Sequence, residues 1–179
     1  MSREYFSQLT TKDVFILTTI LERYDNQADA FATLLREKLN HATVYFRDDI
    51  PGDVVTLNSR VTYRLNGQIK GPHLVVQCQG EDLPDYALSI HTLCGLSLLG
   101  LAEGEKTAIE DNGKRQTIFI EAVEFQPEAN LRLREQDAAF SRTQRQAVDP
   151  SPQVLKFQPK QKPAIARRPD DDDPGPFAA

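Results

Sequence analysis

Val54-Val55-Thr56-Leu57-Asn58-Ser59-Arg60-Val61-Thr62-Tyr63-Arg64 is dense in β-branched residues, with Val55, Leu57, Ser59, Val61 and Tyr63 on alternate positions. That pattern predicts a strand with one buried face. The stretch that follows keeps this character. Asn66-Gly67 is a hairpin-type dipeptide, although the next apolar run, Leu74-Val75-Val76-Gln77-Cys78, comes several residues later. Asp82 to Asp85 contains Pro84 and reads as a loop, and Ala87-Leu88-Ser89-Ile90 predicts a short strand. Lys106–Glu110 and Arg115–Val123 flank Asn112-Gly113, a strong hairpin signal. Between them Thr92–Leu101 is apolar with two glycines, which predicts a short buried helix ended by Gly100.

Upstream, the period changes. A helix start is predicted at Thr10–Thr11 with Asp13 in the first turn. Val14, Leu17, Ile20, Leu21 and Tyr24 then form an apolar stripe, and after Asp25-Asn26-Gln27 it resumes with Ala28, Phe31, Leu34, Leu35, Leu39 and Ala42. Lys38 lies within that second stripe and is expected to bury its stem only. So short a break implies two antiparallel neighbours, with arms of about 20–27 Å. The expected fold class is α+β: a short antiparallel helical hairpin over 1–49, then an antiparallel β-sheet with one short helix over 50–129. Residues 130–179 are Arg- and Pro-rich and end in the run Asp170–Asp173, so a disordered tail is expected there, within which the Arg- and Gln-rich Ala129–Val148 can form a fraying helix.

Charge narrows the function. Residues 1–126 carry 12 Lys/Arg against 18 Asp/Glu, whereas residues 127–169 carry nine against four. The acidic core repels phosphate backbones, so strong direct DNA binding by it is not expected. The tail, through residues such as Arg134, Arg142 and Lys160, is a candidate for contact with an acidic surface or RNA. Cys78 and Cys94 fit no metal-ligand spacing and are too few for a disulfide scaffold. With no signal-peptide pattern and no run of about 20 apolar residues, a cytoplasmic protein without membrane association is expected.

Catalytic patterns are lacking. No phosphate-cradling glycine loop or dinucleotide fingerprint occurs, and His41, His73 and His91 lie far apart without a ligand-type partner. No catalytic residue, metal or cofactor is expected. The one acidic constellation is Glu22, Asp25 and Asp29 at the hairpin tip. If Asp25 opens the second helix, Asp25 and Asp29 lie one turn apart and can share a cation; helix-start electrostatics is the favoured explanation of them.

Ile50-Pro51-Gly52-Asp53-Val54-Val55-Thr56-Leu57-Asn58-Ser59-Arg60-Val61 resembles the opening of the C-terminal domain of the Rnk proteins, regulators of nucleoside diphosphate kinase and relatives of the Gre transcript-cleavage factors. Leu88-Ser89-Ile90 followed by Gly95-Leu96-Ser97-Leu98-Leu99-Gly100-Leu101, Glu103-Gly104-Glu105 and Val123-Glu124-Phe125-Gln126-Pro127-Glu128 resemble the same family in the same order. The resemblance implies an FKBP-like C-terminal domain of the GreA/GreB type behind a short coiled-coil hairpin. It also implies a monomer that binds bacterial RNA polymerase at the secondary channel, with a rim-contacting loop comprising Ser89, Ile90, Thr92, Leu93, Cys94 and Gly95. Leu93 stands where the family has Pro, and residues 130–179 have no counterpart. The short arms imply competition with Gre factors without strong transcript cleavage. Two other functions compete: an FKBP-like peptide-binding or prolyl isomerase domain, disfavoured by the absence of Trp, and an interaction protein acting through its basic tail.

Overall fold

Strand β1 (Ser7–Thr10) runs directly into helix α1 (Thr11–Arg23) in the computed structural model, which describes residues 6–24, 29–80, 83–111 and 113–147. The helix starts where its cap chemistry requires. Thr10 Oγ1 accepts from the Asp13 N–H at 3.1 Å, and Asp13 Oδ2 accepts from the Thr10 N–H at 3.1 Å and hydroxyl at 2.7 Å, a closed capping box. The other Asp13 oxygen accepts from the Leu57 N–H at 3.4 Å, tying α1 to the segment before the main sheet. Burial pushes the Asp13 carboxyl above the usual range, while the bonds from Thr10 and Leu57 pull it back. Asp13→Ala removes the cap and strands the Leu57 N–H, so a loss of about 2–4 kcal/mol of unfolding free energy is expected in urea titrations. Asp13→Asn, which keeps an acceptor, is expected to lose less than half of that.

Helix α2 (Ala30–Asn40) leads into β2 (Ala42–Tyr45), which pairs in parallel with β1. The two helices therefore fill the connection between two parallel strands. Their lengths of 13 and 11 residues correspond to about 20 and 16 Å. Ile16, Leu17 and Ile20 of α1, with Phe31 and Leu35 of α2, belong to the same buried cluster as Val55, Leu96, Leu99 and Ile120. The helices lie on the β-rich part and share its core.

The main sheet has five strands in the order β5-β4-β3-β7-β6, formed by β3 (Arg60–Leu65), β4 (Gln68–Val76), β5 (Ala87–Ser89), β6 (Lys106–Asp111) and β7 (Lys114–Phe125). It is mixed and not wholly antiparallel, because β5 pairs with β4 in parallel. The strand expected from Val54 begins only at Arg60. Val54 instead makes an isolated bridge with Ala102, and Thr56–Ser59 form a turn in which the Ser59 N–H reaches Thr56 O at 3.1 Å and Asn58 is left-handed (φ 65°). Val54 to Leu57 are buried consecutively, so their apolar character does not report strand periodicity. Conversely β4 starts at Gln68, immediately after a turn in which Asn66 and Gly67 both have positive φ. The register of β4 against β3 slips between Val61 and Tyr63, where Gly71-Pro72 sits; a proline at a bulge is tolerated in a sheet although it breaks the sequence pattern.

Helix α3 (Leu93–Leu98) packs on this sheet and ends before Gly100 at φ 82°, as expected. Disorder from residue 130 onward does not hold, whereas the helix that Ala129–Val148 could form is present. Residues up to Ala147 form helix α4 (Pro127–Ala147), since Ala, Leu, Arg, Gln and Glu predominate and no Gly or Pro interrupts them after Pro127. Its first turns are anchored by Gln126 Nε2 on Pro51 O and Val54 O (2.7 Å each), by Thr56 Oγ1 on Glu128 Oε2 (2.7 Å), and by Arg132 on Arg47 O (3.2 Å). From Leu133 to Thr143 every side chain is exposed. Residues 148–179, including Asp170–Asp173, lie outside the described residues.

Candidate protein-docking site

Six residues were expected to form a rim loop, and they run from the end of β5 through a hydrogen-bonded turn into the first turn of α3. Ser89 Oγ donates to Cys78 O at 2.7 Å and accepts from the His91 N–H at 3.1 Å. Thr92 caps α3: its Oγ1 accepts from the Gly95 N–H at 3.0 Å and donates to Ser89 O at 2.8 Å. Ile90 is fully buried, its N–H bonded to Val76 O at 2.9 Å. Ser89, Ile90 and Gly95 are therefore the inward supports, whereas Thr92, Leu93 and Cys94 reach the surface wholly or in part. Leu93 occupies the first helical position of α3, one that suits proline equally well, so Leu in place of Pro leaves the helix start intact. Burial pushes the Cys94 thiol above its ordinary pKa, which makes it a poor nucleophile.

The acidic tip is arranged differently from the expectation. Helix α2 starts at Ala30 with Asp29 as its N-cap residue, so Asp29 precedes the helix and is not one helical turn beyond its start. Asp29 accepts from the Tyr24 hydroxyl at 2.7 Å, and this bond raises the tyrosine's pKa. Glu22 is exposed near the end of α1; Asp25 lies outside the described residues. Among the described residues no three His, Cys, Asp or Glu side chains are grouped to hold a metal ion, and no helix is long and apolar enough to cross a membrane.

Tip and loop are neighbours. Arg23 and Tyr24 from the end of α1 share the walls of a 260 Å³ cavity with Gln77, Gln79 and His91. The end of the helical arm thus borders the loop expected to touch a partner.

Known proteins match this architecture. Over 101 residues the chain is 34% identical to the regulator of nucleoside diphosphate kinase of Escherichia coli strain K12, across 55% of this chain and 74% of that protein. The chain belongs to this family, the Rnk proteins. The Shigella flexneri regulator of nucleoside diphosphate kinase matches over the same extent, also at 34% identity. Among solved structures, a prokaryotic transcription elongation factor GreA/GreB from Nitrosomonas europaea aligns with a TM-score of 0.53 at 25% identity, covering 68% of this chain and 99% of that one. No family model matches the chain.

One residue of this Rnk-family chain was misjudged from sequence. Lys38 buries its whole side chain, leaving it 7% exposed, with Nζ donating to Leu99 O and to Ser7 Oγ (3.2 Å). The available signal was its place inside the apolar stripe of α2. Burial lowers its pKa from 10.5 to about 7, with Glu105 pulling weakly the other way. The folded chain therefore binds fewer protons than the unfolded chain between these values. Relative to Lys38→Met, the wild type is expected to gain stability as pH rises from about 7 towards 10, seen as diverging denaturation midpoints.

Proposed function

We propose that this chain is a transcription regulator of the Rnk/Gre type that docks on bacterial RNA polymerase at the secondary channel. It competes there with Gre factors and does not strongly stimulate transcript cleavage. In this account residues 50–129 are an FKBP-like head that grips the channel rim through Thr92, Leu93 and Cys94. Residues 1–49 supply the short hairpin, and the chain catalyses no reaction of its own. Support comes from the relatives, which are named as regulators of nucleoside diphosphate kinase and as a transcription elongation factor.

The observation that carries the reading is the position of the helical arms. Their apolar faces are part of the core shared with α3 and the sheet, and Arg23 and Tyr24 border the same cavity as His91. Asp29 is bonded to the Tyr24 hydroxyl at that end, so this carboxylate is held beside a cavity that His91 also lines. The test is retention of the chain by core polymerase with a Gre factor as competitor. Low-micromolar binding lost on Thr92→Asp/Leu93→Asp and displaced by the Gre factor is expected. No binding at that concentration would contradict the proposal.

A contribution from the basic tail is favoured by Arg134 and Arg142, exposed on the outer part of α4. Deleting residues 133–179 is then expected to flatten the salt dependence of polymerase affinity, whereas an unchanged slope dismisses that contribution.

A further inference from the structure

A buried ammonium ordinarily has a counter-charge. Lys38 has none within ion-pair distance among the described residues. Its two acceptors, Leu99 O and Ser7 Oγ, are both neutral, so one of the three N–H bonds has no acceptor among the described residues. Holding the Leu99 carbonyl at the end of α3 explains the presence of a donor. It does not explain the cavity of 380 Å³ beside it, bounded by α2, α3 and the β6–β7 hairpin and lined by Lys38 itself.

The cavity walls have a definite chemistry. Leu34, Leu101 and Ala108 supply apolar surface, and His41 and Arg115 add basic groups beside Lys38. Among the described residues Glu37 is the one carboxylate on the wall. Glu105, which accepts from the Ala102 N–H at 2.9 Å, acts on Lys38 only through its field. The volume is at the small end of the range for small-molecule sites.

We propose that this cavity binds a small organic anion, a carboxylate or phosphate monoester with a short aliphatic body, whose head is held by Lys38 and Arg115. The aliphatic part lies against Leu34, Leu101 and Ala108, and Glu37 repels the head towards the basic side. Binding supplies the missing counter-charge, so it favours protonated Lys38 and weakens as pH rises above 7. The proposal is independent of polymerase docking.

The experiment is calorimetric titration of the full chain with isovalerate, isopentyl phosphate and the neutral isovaleramide, with amide chemical shifts followed in parallel. At least one of the two anions is expected to bind one-to-one and saturably, moving the signals of Ser7, His41, Thr107 and Arg115, while isovaleramide does not bind. Which anion binds more tightly distinguishes a carboxylate from a phosphate ligand. Lys38→Met and Arg115→Gln are each expected to weaken binding at least tenfold. Arg115 is exposed, so its variant decides where the Lys38 variant fails to fold or the two disagree. The inference is overturned if neither anion binds saturably, if isovaleramide binds as tightly, or if Arg115→Gln leaves the affinity unchanged.

Discussion

Gly95→Val is expected to abolish folding, and Gly95→Ala to come close to doing so. A Cβ at position 95 would stand 2.0 Å from Ser89 O and 2.7 Å from Ser89 C. Both are backbone atoms, so no side-chain rotation relieves the overlap. The obstructing carbonyl cannot withdraw cheaply either, because it accepts from the Thr92 N–H at 3.1 Å and from the Thr92 hydroxyl at 2.8 Å. Moving it would disturb the cap of α3, whose Leu96, Leu98 and Leu99 are fully buried. The cost is expected to reach about 4–5 kcal/mol, a large share of the stability of an ordinary domain. Far-ultraviolet circular dichroism and thermal melts measure it directly; a Gly95→Ala protein melting with the wild type would refute the packing described here.

Leu35→Ala is the second large effect. Leu35 is wholly buried in the cluster that joins α1 and α2 to α3 and the sheet. Truncation of such a leucine removes transfer free energy and leaves a cavity, about 2–5 kcal/mol together. A separately folded helical arm would lose its own stability and leave the sheet unaffected. A shared core predicts one cooperative transition, displaced as a whole, whether followed by helix signal or by amide exchange in β3 and β7. Two resolved transitions would place the arms outside the core.

Much of this architecture was legible where local chemistry and tertiary demand agree. The Thr10–Asp13 capping box, the glycine after α3 and the β6–β7 hairpin each rest on contacts between residues close in sequence, and each lies where the pattern places it. Errors arose where tertiary burial overrides periodicity. Val54, Val55 and Leu57 are apolar because the segment leading into β3 is buried residue after residue, and β1 and β2, at four residues each, are too short to show a period of two. Pro72 disguised the start of β4, and the exposed face of α4 made a helix sustained by propensity look like one that frays into a disordered tail. At the candidate site family resemblance singled out the loop from Ser89 to Gly95, and only the fold separates the buried Ser89, Ile90 and Gly95 from the outward Thr92. Lys38 was missed because a lysine in an apolar stripe reads as a snorkelling stem.

Transcript cleavage in a stalled elongation complex is the most direct test of the proposed function. With a Gre factor present, adding this chain is expected to slow cleavage in proportion to occupancy, and alone it is expected to leave the transcript intact. Rapid cleavage by the chain alone, lost on Asp29→Ala, would mean that the tip reaches the catalytic centre and would contradict the account.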